Sequence, residues 1–228
     1  MSWRCNLVNG QIQVYYANNL RGVYSLVEEP FCELCAHPNI DTLDCNNHEH
    51  LDSIDRIYAM GWYIPVNNRA ADDLLSRHIL RAKDDISFTL PLGLAMIIAA
   101  RTRYHELLDY DLIMPIPLHE QRAATRGYNQ ALELARIISS DLEIELLEGL
   151  EKNRNINFQG RGWQGRLSQI DGLYRVNRNI VNRIRDRNII LVDDVATTGL
   201  TVNKCAEVLK DSGASLVVAF TATRTRRD

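Results

Sequence analysis

The sequence lacks the features of exported and membrane-spanning chains. Its first residues, MSWRCNLVNGQIQVYYANN, have neither a basic start nor a continuous apolar segment, so we do not expect a secretory signal. The most apolar run, PLGLAMIIAA, has about half of the length that crosses a bilayer. Its five cysteines are an odd number, which argues against a framework of disulfide bonds. These absences predict a cytoplasmic protein that does not span the membrane.

Internal repeats, low-complexity tracts and linkers rich in Pro, Gly or Ser are also lacking, so motifs must define the domains. The 228 residues suffice for one substantial core with a small additional module. We predict an N-terminal extension over residues 1–26, a small module over 27–62 and a main domain over 63–228. In the main domain strands alternate with helices, which predicts an α/β fold with a parallel sheet flanked by helices.

The charge is unevenly distributed along the chain. The net charge is −3, yet residues 151–187 carry nine Lys or Arg against three Asp or Glu. Within this segment, residues 151–175 have little periodicity and predict a long loop, which is typical of lids and binding loops. A basic loop in an acidic protein predicts either a binding site for a polyanion or a solvated surface.

The segment NIILVDDVATTGLTVN (188–203) combines a buried strand, two acids and a loop rich in threonine. Ligands of parallel sheets bind at the carboxyl ends of strands, where Asp193 and Asp194 are predicted to lie. The next residues lead into a helix, whose backbone N–H groups and threonine hydroxyls suit a phosphate. They are Ala196, Thr197, Thr198, Gly199, Leu200 and Thr201. Since carboxylates repel phosphate, the acids must face sugar hydroxyls or a divalent cation, which predicts a ribose 5-phosphate.

ILVDDVATTGLT resembles the signature of type I phosphoribosyltransferases. The resemblance implies that Asp193 and Asp194 bind the ribose hydroxyls of phosphoribosyl pyrophosphate, that the threonine loop holds its 5-phosphate, and that Mg²⁺ accompanies the ligand. Response regulators also carry paired aspartates at a strand end, but near the N-terminus and without this loop. The structural alternative is a capped helix that follows a core strand.

A second segment, MPIPLHEQRAATRGYNQALELA (114–135), is similar to the ComF family of competence proteins. The resemblance places the pyrophosphate at the loop that contains Pro117, Leu118, Arg122 and Arg126. Guanidinium groups suit this role because they bind phosphate oxygens in pairs. In the alternative interpretation Arg126 only caps a helix or forms a salt bridge, and Asn129 and Gln130 are early helix residues.

The basic loop resembles the lid of the same family, although Ile156 and Gln169 depart from the family's pattern. Its arginines are interleaved with aromatic residues, a combination that can hold phosphates and stack bases. The predicted lid and nucleic-acid residues are Arg154, Gln159, Arg161, Trp163 and Arg166.

The module at 27–62 contains two pairs of metal ligands, Cys32 with Cys35 and Cys45 with His48. Their spacing can close into a tetrahedral Zn²⁺ site, which would help a segment with few aliphatic residues to fold. The ComF family carries C-x2-C twice near its N-terminus, so His48 would replace one cysteine. Competing ligands are His37, His50 and Cys5, and the alternative is a set of free thiols.

The resemblance implies a competence protein of natural transformation that binds phosphoribosyl pyrophosphate with Mg²⁺ and single-stranded DNA. Its expected partners are a competence helicase and the inner-membrane DNA channel, which would hold it at the inner face of the membrane. The alternative is an active phosphoribosyltransferase that transfers ribose 5-phosphate to an unknown nitrogenous acceptor in nucleotide metabolism. A third interpretation, a regulator that binds the ligand as an effector, lacks a helix-turn-helix motif.

Overall fold

A computed structural model of the chain describes residues 3–26, 32, 51–63, 73–153 and 172–225. Two groups of predicted site residues lie outside these ranges. They are the zinc ligands Cys35, Cys45 and His48 and the lid residues Arg154, Gln159, Arg161, Trp163 and Arg166.

Three antiparallel strands form the N-terminal part: β1 (Trp3–Val8), β2 (Gln11–Tyr16) and β3 (Asn19–Tyr24). Asn9 and Gly10 join β1 to β2 with positive φ angles, as a two-residue hairpin turn requires. Ile12 and Val14 of β2 are fully buried in a core that the main domain also lines. Residues 1–26, predicted only as an extension, therefore contribute a sheet that packs on the main domain.

The main domain is built on a parallel sheet, as the alternation of strands and helices predicted. Within the described part of the chain this sheet has five strands in the order β4–β10–β9–β5–β6. Their bounds are β4 Arg56–Tyr63, β5 Leu112–Pro115, β6 Glu145–Leu146, β9 Asn188–Ala196 and β10 Leu216–Thr225. The strand β4 begins at Arg56, inside the range 27–62 that we predicted for the metal module.

Helices cover both faces of the sheet. On one face lie α1 (Leu74–Arg81), α2 (Thr89–Thr102) and α4 (Gln130–Leu142), which share a core with Ile190 and Val192 of β9. On the other face lie α5 (Val181–Ile184) and α6 (Leu200–Asp211), which pack with Ile189 and Leu191. Three 3-10 turns at Ile86–Phe88, His105–Asp109 and Arg178–Ile180 complete this arrangement. None of the described helices is both long and apolar enough to cross a membrane.

The segment HEQRAATRG, which we predicted to be a loop, is mostly the helix α3 (Glu120–Arg126). The Nδ1 atom of His119 caps this helix by accepting a hydrogen bond from the backbone N–H of Gln121, at 3.2 Å. Gly127, at φ 80°, ends it in the left-handed conformation that favours glycine. Glu, Gln, Arg and Ala all favour helices. The segment has no apolar face at helical spacing, however, so the pattern of apolar residues did not reveal the helix.

The predicted lid, residues 151–175, has strands at both ends. β7 (Leu150–Lys152) pairs in antiparallel register with β8 (Tyr174–Val176). Arg175 on β8 also forms an exposed ion pair with Glu151 on β7, at 2.6 Å. The two ends of the predicted lid therefore lie next to each other.

Candidate ligand-binding site at the carboxyl edge of the parallel sheet

Asp193 and Asp194 lie near the carboxyl end of β9, which continues to Ala196. The backbone N–H of Asp194 donates to Oδ1 of Asp193, at 2.9 Å, and that of Val195 donates to Oδ1 of Asp194, at 2.8 Å. Each carboxylate is therefore held towards the next residue of the strand. Both residues are half-buried at this edge of the sheet.

The two carboxylates have different surroundings, as alternation along a strand requires. Burial raises the pKa of Cys205 on α6, and the charge of Asp193 raises it further. On β4, burial and then the charge of Asp194 raise the pKa of Tyr63. By alternation along β9, Asp193 lies on the face of Ile189 and Leu191, which α6 covers, and Asp194 lies on the opposite face, so a ligand that contacts both must lie across the end of β9.

The surroundings of Asp193 disfavour the negative charge of its carboxylate. Burial and then the neighbouring carboxylate of Asp194 raise its pKa well above the usual range, while the nearby ammonium of Lys83 opposes this shift. Lys83 follows α1 and was not among the predicted site residues, since nothing in its sequence context distinguishes it from a surface lysine. A hydroxyl donor or a cation at this position would stabilise the ionised carboxylate.

The predicted phosphate loop crosses from β9 to the first turn of α6. Thr197 is exposed and Thr198 and Thr201 are half-buried, whereas Ala196, Gly199 and Leu200 are buried. Gly199 precedes the first residue of α6 and provides no side-chain cap. The N–H groups in the first turn of a helix have no partner within the helix and carry positive partial charge, so this end of α6 suits an anion.

Gly199 is required by packing as well as by its conformation. Its φ of 80° favours glycine, and an added Cβ would lie 3.0 Å from Cδ2 of Leu51 and 3.3 Å from Cδ1 of Ile57. Leu51 thus presses on the loop from the side of the segment that precedes β4.

Asn203, a buried residue of α6, fixes that preceding segment. Its Oδ1 accepts hydrogen bonds from the backbone N–H groups of Ser53, at 2.9 Å, and Ile54, at 3.0 Å. Its Nδ2 donates to Oδ1 of Asp52 at 3.0 Å, a bond that lowers the pKa of Asp52. Residues 51–54 are therefore attached to the helix that begins at the phosphate loop, an arrangement that the sequence did not indicate.

The predicted pyrophosphate segment lies between β5 and α4. Pro117 and Leu118 are half-buried and Arg126 is exposed, while Arg122 belongs to α3. Among the described residues Arg126 makes no ion pair, so the salt bridge of the alternative interpretation is not observed there. Asn129 does act structurally, because its Oδ1 caps α4 by accepting from the N–H of Ala131 at 3.1 Å.

Gln130 begins α4, which packs against β5 and β9, and it is 5% exposed. Within the described part of the chain neither Oε1 nor Nε2 of its amide has a hydrogen-bond partner. A buried polar group without a partner costs about 1–3 kcal/mol. In the sequence Gln130 stands out only as part of the RGYNQ motif, and the structure adds it as a candidate contact for a ligand that both donates and accepts.

The paired strands β7 and β8, which form the stem of the predicted lid, lie beside α6. Lys152 on β7 is close enough to Cys205 for its positive charge to oppose the rise in the pKa of that thiol. Its ammonium also lies 5.6 Å from the ring centroid of Tyr174 on β8. Residues 154–171 are therefore attached to the domain next to the helix that carries the phosphate loop.

The chain has extensive similarity to competence proteins. Competence protein F of Haemophilus influenzae (strain ATCC 51907 / DSM 11121 / KW20 / Rd) is 25% identical over 98% of this chain and 97% of its own length. Residues 129–227 match the family described as the phosphoribosyl transferase domain. The chain is similar to the ComF family of competence proteins over nearly its whole length. Competence protein ComFC of Streptococcus pneumoniae (strain ATCC BAA-255 / R6) is 28% identical over 69% of this chain and 64% of its own length. Competence protein ComFC of Bacillus subtilis (strain 168) is 30% identical over 50% of this chain and 45% of its own length.

These similarities support the family resemblance predicted from the RGYNQ segment and confirm the fold predicted from the VDD segment. The main domain has the type I phosphoribosyltransferase fold, an α/β fold with a parallel sheet flanked by helices. The matched residues include Asn129 and Gln130, both acids of β9 and the whole phosphate loop.

The structure describes the residues of one predicted metal site, the carboxylates of β9, but only one of the predicted zinc ligands. In the described ranges no group of three or more His, Cys, Asp and Glu is placed to hold a metal ion. Of the predicted zinc ligands only Cys32 is described, buried in the core that contains Leu51 and Ile54. At β9, two carboxylates fit Mg²⁺, which commonly takes one or two carboxylates and completes its shell with water and ligand phosphates.

Proposed function

We propose that this chain binds phosphoribosyl pyrophosphate with Mg²⁺ at the carboxyl edge of its parallel sheet. The observation that carries the proposal is the continuous path from the paired carboxylates of β9 to the N-terminus of α6. At one end of this path burial and the neighbouring Asp194 disfavour the charge of Asp193, and at the other end lies a helix N-terminus that suits anions. One ligand with a diol and a phosphate matches both ends.

In this arrangement each part of the ligand has its own partners. The 5-phosphate takes the N–H groups and hydroxyls from Thr197 to Thr201, and the ribose hydroxyls donate to the β9 carboxylates. The pyrophosphate lies towards Arg122 and Arg126, where Mg²⁺, when bound, neutralises part of its charge. Gln130 can donate to one ligand oxygen and accept from a hydroxyl, because both ends of its amide are unpaired in the described structure.

We further infer the competence functions from the family and from the composition of the lid. Arg154, Gln159, Arg161, Trp163 and Arg166 would contact single-stranded DNA. Cys32, Cys35, Cys45 and His48 would hold a structural Zn²⁺. In natural transformation the protein would act with a competence helicase and the inner-membrane DNA channel. The position of the lid stem beside α6 supports a lid that lies close to the phosphoribosyl site.

The experiment that tests the ligand is isothermal calorimetry with phosphoribosyl pyrophosphate and Mg²⁺. We expect saturable binding by the wild type and about tenfold weaker binding by Thr201→Val, which loses a hydroxyl that donates to a charged phosphate. Thr102→Val is the matched control, because Thr102 is an exposed threonine on α2 whose hydroxyl donates only to its own helix. Absence of binding by the wild type would refute the proposal.

The same protein can be tested for turnover. A panel of nitrogenous acceptors is added with the ligand, and released pyrophosphate is measured. Release with one acceptor would favour the phosphoribosyltransferase alternative, and binding without release would favour a binding or sensing role.

For the lid, we expect that the double variant Arg161→Ala, Arg166→Ala binds single-stranded DNA more weakly and with less salt dependence. The loss of two phosphate contacts lowers the slope of log affinity against log salt by about 1.4. Fluorescence anisotropy of a labelled oligonucleotide over a series of salt concentrations measures both effects. Arg178→Ala, an exposed arginine outside the lid, is the control, and an unchanged slope in the double variant would exclude these contacts.

A further inference from the structure

A second cleft lies between the N-terminal sheet, α1 and the Ile86–Phe88 turn, in a part of the chain that the proposed function does not use. Its volume is about 740 Å³, within the range of about 300–1,000 Å³ that is usual for ligand pockets. The residues that give it its chemistry are Trp3, Tyr16, Arg21, Arg77, Arg81 and Phe88.

Aromatic rings form one wall of this cleft. The ring centroid of Trp3 lies 4.8 Å from that of Tyr16, 5.2 Å from that of His78 and 5.5 Å from that of Phe88. The Nε1 atom of Trp3 is buried and has no hydrogen-bond partner in the described structure. The wall therefore offers flat apolar surface.

Three arginines give the cleft a positive charge. The guanidinium of Arg21 lies 5.6 Å from the ring centroid of Tyr16, and that of Arg81 lies 5.4 Å from the ring centroid of Phe88. Arg77 precedes Arg81 by one turn of α1, so both side chains lie on the same face of the helix. None of the three arginines forms an ion pair with another described residue.

The acidic charge at the cleft offsets only part of this positive charge. Asp85 is the acidic residue that lines the cleft, and its Oδ1 already accepts the backbone N–H of Ser87 at 2.9 Å. Exposed cations that stand beside aromatic rings, without carboxylate partners from the described chain, suit a ligand that carries both an anion and a flat ring.

We propose that this cleft binds a nucleotide unit, with its base against Trp3 and Phe88 and its phosphate at Arg77 and Arg81. The unit can come from a free nucleotide or from a single-stranded nucleic acid, which share this chemistry. The site goes beyond the proposed function, because none of the residues that line the cleft belongs to β9, the phosphate loop or the pyrophosphate segment.

The test uses the full chain and two probes, adenosine 5′-monophosphate in calorimetry and a labelled short oligothymidylate in fluorescence anisotropy. The variant is Arg77→Ala, Arg81→Ala, and the control is Arg101→Ala, Arg136→Ala, which removes the same charge from exposed positions on α2 and α4. We expect the variant to weaken binding roughly tenfold or more and the control to change it little.

Binding of both probes, or of the monophosphate alone, with this loss in the variant would support a free-nucleotide site. Binding of the oligonucleotide alone, with the same loss, would support a single-strand site. The proposal is overturned if neither probe binds, or if the variant keeps the wild-type affinity for every probe that binds. Calorimetry with phosphoribosyl pyrophosphate separates this result from the proposed function, because Arg77→Ala, Arg81→Ala should keep that affinity.

Trp3 provides an independent spectroscopic readout. Stacking of a base on its indole ring should quench part of the tryptophan fluorescence, and Trp3→Phe should remove that part of the quenching. Quenching by nucleotide that persists unchanged in Trp3→Phe would contradict the position that we assign to the base.

Discussion

The double variant Asp193→Asn, Asp194→Asn should bind phosphoribosyl pyrophosphate roughly a hundredfold more weakly than the wild type, since each lost charge-assisted hydrogen bond is worth about 1.5–3 kcal/mol. Asparagine keeps the size of aspartate but has only one acceptor oxygen and no charge for Mg²⁺. Calorimetry under the conditions used for the wild type measures the loss. Wild-type affinity in the double variant would exclude the β9 carboxylates from the ligand site.

The single variant Asp193→Asn should increase the stability of the protein without ligand, although the loss of this carboxylate weakens ligand binding. Burial and Asp194 raise the pKa of Asp193 above its usual value of 3.8, so the folded state binds a proton more tightly than the unfolded state. Stability is therefore lost as the pH rises from 3.8 through the raised folded pKa, and it stays lower above that pKa. Asp193→Asn removes this dependence.

Denaturant unfolding across that pH range checks the prediction, with Asp141→Asn as a control on an exposed acid. We expect Asp193→Asn to be more stable than the wild type at neutral pH and the control to be nearly unchanged. A less stable Asp193→Asn would show that the ionised carboxylate is already well satisfied in the free protein. The expected combination, more stability and less binding, is typical of a site kept for a ligand.

Elements with strong local patterns could be predicted from the sequence. The run Ile189–Val192 predicts a strand buried on both faces, and in the structure its residues alternate between two cores. The helix α6 and the strand β10 also follow from local patterns in the sequence. The position of the candidate site follows as well, because the carboxyl ends of parallel strands meet at one edge.

The remaining features depend on contacts between distant residues. Ile12 and Val14 alternate as in a strand that is buried on one face, yet only packing against the main domain gives residues 1–26 a role. Gln130 becomes a candidate contact because its buried amide lacks a described partner, and Lys83 because it approaches Asp193. Their residue types alone are those of ordinary helix and surface positions.

Asn203→Ala should lower the free energy of unfolding by about 2–4 kcal/mol, because two backbone N–H groups and one carboxylate lose their partner. It should also weaken the binding of phosphoribosyl pyrophosphate, although in the proposed arrangement Asn203 makes no contact with the ligand. The reason is geometric: Asn203 holds residues 52–54, and the adjoining Leu51 packs against Gly199 in the phosphate loop. Without that support, the N–H groups of the loop are less well aligned for the 5-phosphate.

Denaturant unfolding and calorimetry on the same preparation measure the two effects of Asn203→Ala. The control is Asn182→Ala, at an exposed position on α5. Loss of stability with unchanged affinity would mean that residues 51–54 support the fold but do not position the loop. Loss of both would connect the phosphate loop to the segment that follows the predicted zinc ligands. That segment continues directly into β4, so a change in the cysteine-containing module would then reach the phosphoribosyl site through Leu51 and Asn203.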